Sequence, residues 1–210
     1  MTHGPTIQIL LIEDDPVWRE MLARLLEPEP GMQLVQTAAT KEEALSYCAA
    51  HQPDVILMDM NLGGEQLDGI QATLELSRLH PATKIIVLTS FDDQEIVLAA
   101  FTAGAVQFIN KSRFRQLAAI IRESVQANSP QDILMREFWR MKEAELYHRL
   151  TAAEKEIVAL SEGGAGRAQI MKALGKSEGT LKNQISNILR KFQASSLKEV
   201  IRKIKSRGLK

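Results

Sequence analysis

A single cysteine, Cys48, stands in 210 residues, so no disulfide can close within the chain. The histidines His3, His51, His80 and His148 are scattered and offer no zinc-ligand spacing. No apolar run approaches the roughly 18 residues of a membrane helix, and the N-terminus lacks a basic-then-apolar export signal. Internal repeats and low-complexity tracts are missing too. These absences argue against a disulfide scaffold, a zinc module and a membrane span. A cytoplasmic protein with no membrane partner is the expectation.

Charge is balanced overall, with 26 Lys+Arg against 26 Asp+Glu, but unevenly placed. Residues 1–150 carry 13 basic and 21 acidic side chains, a balance of −8; residues 151–210 carry 13 and 5, a balance of +8. A small basic C-terminal unit points to a polyanionic partner. Two domains with different tasks are expected.

The first part alternates strand and helix. Four apolar runs, Ile7 to Ile12, Val55 to Met58, Lys84 to Thr89 and Val106 to Ile109, have the pattern of buried parallel strands, with a shorter strand around Gln33–Thr37. Helices are expected from Pro16 to about Leu26, over Lys41–Ala50 behind a Thr40/Glu43 capping box, from about Gly69 to Leu79, from Asp93 to Thr102 with Gly104 as cap, and from Phe114 to Val125. This alternation predicts a doubly wound α/β fold on a five-stranded parallel sheet.

Ligands of such sheets bind at the carboxyl ends of the strands. Glu13 and Asp14 close the first strand there, Asp59 the Val55 strand, Thr89 the Lys84 strand, and Lys111 follows the last. Hard carboxylate oxygens suit Mg²⁺, which offsets the repulsion between a carboxylate nucleophile and phosphate. An ammonium and a hydroxyl suit the remaining phosphoryl oxygens. Singly, each residue has a plainer role: the acidic pair complements a helix dipole, Lys111 lies at the surface, Phe108 fills a core. Their coincidence at the strand ends carries the phosphoryl reading.

Residues 7–126 resemble the CheY-like receiver domain of two-component response regulators. The resemblance rests on Ile12-Glu13-Asp14-Asp15, Pro53 through Asp59, Leu88-Thr89-Ser90 and Phe108-Ile109-Asn110-Lys111. It implies that Asp59 is the phosphoacceptor and that Asp14, Asp59 and the backbone carbonyl of Asn61 hold Mg²⁺, with Glu13 acting through water. It implies a switch pair, Thr89 and Phe108, and phosphoryl donation by a sensor histidine kinase. The segment Asn61 to Gly69 departs from the family: it lacks a proline and runs about two residues longer, so a more mobile loop is expected.

Residues 127–149 have a helical apolar pattern, including Ile133, Leu134, Phe138, Trp139, Met141 and Leu146, and form the expected linker. Its stripe either packs on a domain or self-associates. From residue 150 to 210 the chain is all helix: Thr151/Glu154 opens one, Gly163-Gly164-Ala165-Gly166 leads into Arg167–Leu174, and Gly175-Lys176-Ser177 turns into a long helix to about Phe192. That is a small helix-turn-helix domain. Residues 150–205 resemble the LuxR/NarL-type DNA-binding domain, nearly residue for residue from Ser177 to Lys191.

In the long helix Leu181, Ile185, Ile188, Leu189 and Phe192 form an inward stripe, while Lys182, Asn183 and Ser186 project from the other side. The resemblance makes Lys182, Asn183, Gln184 and Ser186 the groove-facing set. Thr180, Ser177 and Lys191 are expected on phosphates, and the resemblance implies a dimer face on the helix Lys198 to Lys205, which Ser196 and Glu199 cap. The glycine-rich step is expected to loosen the start of the short helix.

The combined expectation is a response regulator that is not classed as an enzyme. A phosphorylated homodimer would bind double-stranded DNA at paired half-sites. A phosphorylation-independent DNA-binding regulator is the main alternative; a phosphorelay protein and an RNA-binding antiterminator are weaker ones.

Overall fold

The protein is described by a computed structural model that covers residues 6–64, 68–90, 93–126 and 129–209. Glu65-Gln66-Leu67, part of the longer loop, and Asn128, in the expected break before the linker, lie outside the described residues. Two compact units divide the chain, Met1–Arg136 and Glu137–Lys210.

The first unit is a five-stranded parallel sheet in the order β2-β1-β3-β4-β5. The strands are β1 (Ile7–Ile12), β2 (Met32–Ala38), β3 (Val55–Asp59), β4 (Lys84–Thr89) and β5 (Gln107–Asn110). Helices α1 (Pro16–Leu26), α2 (Lys41–Cys48), α3 (Asp68–Leu79), α4 (Gln94–Ala103) and α5 (Leu117–Ser124) alternate with them. Every residue of β3 is buried, as a central strand covered on both faces requires. On one face Ile9, Leu11, Val55, Leu57, Ile86, Leu88 and Ile109 pack with Leu22 and Leu26 of α1 and Leu117 and Ile121 of α5. The alternate residues Leu10, Ile12, Ile56, Met58, Ile85 and Val87 are equally buried, as the period of two dictates.

Local signals set the helix ends. The Asp15 carboxylate accepts the N–H groups of Val17 and Trp18, with Pro16 opening α1. Thr40 accepts the N–H of Glu43, whose own carboxylate reaches one residue beyond the cap to the N–H of Ala39. The expected helix from Phe114 begins later, at Leu117; Lys111–Gln116 form a tighter 3-10 turn, opened by the Asn110 side chain accepting the N–H of Ser112. Burial of Lys111 beneath the sheet edge holds that turn in place.

Helix α6 (Pro130–His148) contributes to both units. Its first turn is tied to the amino-terminal ends of β4 and β5. Asp132, 8% exposed, ion-pairs with Lys84 at 2.5 Å, and Gln131 donates to the Val106 carbonyl. Near its other end Leu146 enters the core of the second unit. Ile133, Leu134 and Met141 of its apolar pattern are exposed.

The second unit adds α7 (Ala152–Glu162), α8 (Arg167–Leu174), α9 (Glu178–Phe192) and α10 (Leu197–Lys205) around Ile157, Ile170, Leu181, Ile185, Ile188, Phe192, Val200 and Ile204. A complete capping box, Thr151 with Glu154, starts α7. The glycine step is hydrogen-bonded on both sides. Gly164 takes φ 84° past the end of α7, where the Ala165 N–H returns to the Leu160 carbonyl, and Gly166 donates its N–H to Gln169.

Candidate functional site

Parallel register brings β1, β3, β4 and β5 to one edge: Ile12 lies beside Met58, Asp59 beside Leu88, and Thr89 beside Asn110. The next residues along β1 and β5, Glu13 and Lys111, enter the same place. The Lys111 ammonium lies 2.8 Å from Glu13 Oε2, 3.0 Å from Oε1 and 3.1 Å from Asp59 Oδ1. Glu13 is fully buried, Asp59 3% exposed and Lys111 8% exposed. Thr89 is buried; Asp14, Asn61 and Phe108 are half-buried.

This pocket carries more negative than positive charge. Burial, first, and the Asp59 charge push the Glu13 carboxyl up to about 7, against the lowering effect of Lys111. Burial pulls Lys111 downward, but its bond to Glu13 and the two carboxylate charges prevail and raise it. Lys111 is therefore a fixed cation. Oxygen atoms of Glu13, Asp14 and Asp59 lie within 4.8 Å of one another. Clustered hard oxygens from three carboxylates fit a divalent cation.

Two neighbours escaped the sequence reading. Arg19, on the second turn of α1, donates to the backbone carbonyls of Glu13 at 2.7 Å and Asp14 at 3.2 Å, fixing the acidic pair from behind. Trp18 lies 5.2 Å from the Lys111 ammonium and meets Phe114 edge-on. An arginine five residues beyond Asp14 was the available signal; no pattern announced the tryptophan.

Gly69 sets how closely α3 approaches the strand that ends in Asp59. A Cβ there would lie 2.6 Å from the Asp59 carbonyl oxygen and from both Cα and O of Met60. Backbone atoms cannot swing aside. Gly69→Ala is expected to cost about 2–3 kcal/mol by overpacking, read as a lower urea midpoint. An unchanged midpoint would show that α3 can retreat freely.

The second unit presents α9. Lys182, Asn183, Ser186, Thr180 and Ser177 are exposed, opposite the buried Leu181, Ile185, Ile188 and Phe192. Asn187 and Arg190 share that outward face; Arg190 donates to Asn187 at 3.0 Å. The half-buried Gln184 accepts a hydrogen bond from Lys176 at 2.8 Å. Ser177 caps the helix.

Lys191 has different surroundings from those expected of a phosphate contact. Its ammonium ion-pairs with Glu154, 4% exposed, which needs a cation because its carboxylate is out of water. That pair holds Glu154 below the usual carboxylate range despite burial. Lys191→Ala is expected to destabilise this unit by about 1.5–3 kcal/mol, the worth of a charge-assisted hydrogen bond, in a thermal melt. Lys182→Ala, on the exposed face, should leave the melt in place and weaken DNA binding.

Comparison with known proteins agrees with both halves. The response regulator receiver domain model matches residues 9–122, and the model of bacterial regulatory proteins of the luxR family matches residues 148–204. The chain belongs to the LuxR-family two-component response regulators, which are DNA-binding transcription regulators. The response regulator protein VraR of Staphylococcus aureus (strain Mu3) is 30% identical over 200 residues, which span 93% of this chain and 95% of that protein. A LuxR-family two-component response regulator from Aurantimonas sp. SI85-9A1 is 31% identical, with a TM-score of 0.51 over 65% of this chain and 99% of that one. RcsB of Salmonella typhimurium, 18% identical, shares the fold over 95% of this chain and 98% of its own, with a TM-score of 0.52. Among the described residues no helix is long and apolar enough to cross a membrane.

Proposed function

We propose that a sensor histidine kinase phosphorylates this regulator on Asp59, and that the phosphorylated chain pairs on DNA. The observation that carries the reading is the placement of Lys111 between Glu13 and Asp59, with Asp14 completing a cluster of carboxylates.

An Asp59 oxygen would attack the phosphorus of a phosphohistidine. The new O–P bond forms as the P–N bond breaks, and the imidazole keeps the departing electron pair. Bound Mg²⁺, held by Asp14, Asp59 and the Asn61 carbonyl with Glu13 behind, would neutralise the charge between nucleophile and phosphate. Lys111 neutralises a phosphoryl oxygen, and the Thr89 hydroxyl donates to another. Movement of Thr89 toward the phosphoryl group, with repacking of Phe108, shifts an existing equilibrium between two receiver states. The favoured state dimerises, and two α9 helices read half-sites one or more helical turns apart. Asn183 suits adenine, Lys182 suits guanine or phosphate, and Ser186 tolerates either; Arg190 extends the outward face.

The test is DNase footprinting on promoter fragments of the source genome, with and without beryllofluoride and Mg²⁺ as phosphoryl mimic. Protection that strengthens and extends to paired half-sites with the mimic is the expected result. Equal protection in both conditions would overturn phosphorylation control and leave a phosphorylation-independent DNA-binding regulator.

A further inference from the structure

We infer that Gly63 is a positioning residue for the metal site: its backbone N–H holds the Asp14 carboxylate in the orientation that ligates. The inference rests on the reading of the pocket as a Mg²⁺-dependent phosphoryl site, and it assigns a use to the lack of a proline in the turn after Asp59.

Asp14 is the least sheltered carboxylate of the cluster, on a short side chain beside solvent. One of its oxygens is nevertheless engaged: Gly63 donates its N–H to Oδ2 at 3.1 Å, across 49 residues of sequence. The other oxygen stays available to a cation. A carboxylate ligand whose second oxygen is hydrogen-bonded is oriented in advance, which is how partners behind a metal's direct ligands commonly raise affinity.

The turn is built for this contact. Leu62, 2% exposed, roots it in the core. Gly63 has φ +71°, a region open to glycine and unfavourable to most other residues, and a Cβ there would meet nothing within 4 Å. Space is therefore not the reason for glycine; the left-handed backbone that aims the N–H is. Proline in this turn, the family habit, has no N–H to give. The described part of the longer loop is tied to the core through Leu62 and to Asp14 through Gly63. Electrostatics favour the arrangement as well. Of the three clustered carboxylates only Glu13 and Asp59 pair with the Lys111 ammonium, and an N–H dipole on Asp14 offsets part of the remaining negative charge.

The test is a Mg²⁺ titration of the full chain followed by Trp18 fluorescence, in a Trp139→Phe background; Trp18 lies against Lys111 and senses the pocket. Gly63→Ala is expected to weaken Mg²⁺ binding about tenfold. Gly63→Asn, which tolerates a left-handed backbone, should remain within about twofold of the parent. Gly31→Ala supplies the control for backbone strain alone. Gly31 also has positive φ, at +75°, with open space around it, and its carbonyl accepts the N–H of Ile7 at the other end of β1. That variant should melt earlier yet bind Mg²⁺ as the parent does. Equal affinity of Gly63→Ala and the parent would overturn the positioning role while leaving the pocket reading intact. A parent with no saturable Mg²⁺ response would overturn both.

Discussion

Asp59→Ala is expected to abolish phosphoryl uptake from a small-molecule donor such as phosphoramidate, with the sheet still folded. Asp59 ends a fully buried strand and meets the only ammonium among the described groups of the pocket, so no neighbouring carboxylate replaces it as nucleophile. Glu13 is tied to Lys111 and raised in pKa, and Asp14 has one oxygen engaged by Gly63. Folding should survive because the substitution also removes a repulsion. The Asp59 charge is one cause of the raised Glu13 pKa, and without it Lys111 and Glu13 form a one-to-one pair. Stability is expected to stay within about 1 kcal/mol of the parent, the lost ion pair and the relieved repulsion opposing each other. Intact-mass spectrometry and a thermal melt check both parts. Uptake at the parental stoichiometry would refute the assignment of Asp59.

Lys111→Ala should have the opposite profile, with a large loss of stability. It strands two buried carboxylates with no cation, and breaking a buried pair from one side costs about 3–5 kcal/mol. That is a large share of the roughly 5–15 kcal/mol that holds a domain together. The penalty should depend on pH, because a proton on Glu13 can stand in for the missing charge. In the parent the Glu13 pKa rises from 4.5 unfolded to about 7 folded. Its favourable contribution is therefore full below about pH 4.5 and is lost as pH rises through about 7. Removing Lys111 deletes two influences that lower the Glu13 pKa, so the loss should move to higher pH. Urea unfolding in the absence of Mg²⁺ at pH 6 and pH 8 should find the variant more impaired at pH 8. Equal penalties at the two values would mean that Glu13 does not take up the proton.

The legible part of the molecule was its periodic part. Apolar runs of strand length, each ending in a charge or hydroxyl, placed Glu13, Asp14, Asp59, Thr89 and Lys111 at one edge, and caps at Thr151 and Ser196 located helices of the second unit. Contacts made after docking were not legible. Arg19 grips the carbonyls of Glu13 and Asp14 only because α1 folds back over the strand end, and Trp18 meets Lys111 only across the sheet. Lys191 has the spacing of an outward cation, but the buried Glu154 draws it inward from another helix. The delayed start of α5 has a similar origin, since a lysine pulled into the pocket tightens the turn that follows it.

Strand β4 has Thr89 at one end and Lys84 at the other, and Lys84 grips Asp132 at the root of α6. Six residues of extended chain span about 20 Å, and hydrogen bonds to β3 and β5 make that span stiff. It is a stiff rod with a buried hydroxyl at its tip and an ion-paired ammonium at its base. If phosphorylation of Asp59 draws Thr89 inward as proposed, the tilt would reach, without any intervening loop, the salt bridge from which α6 departs.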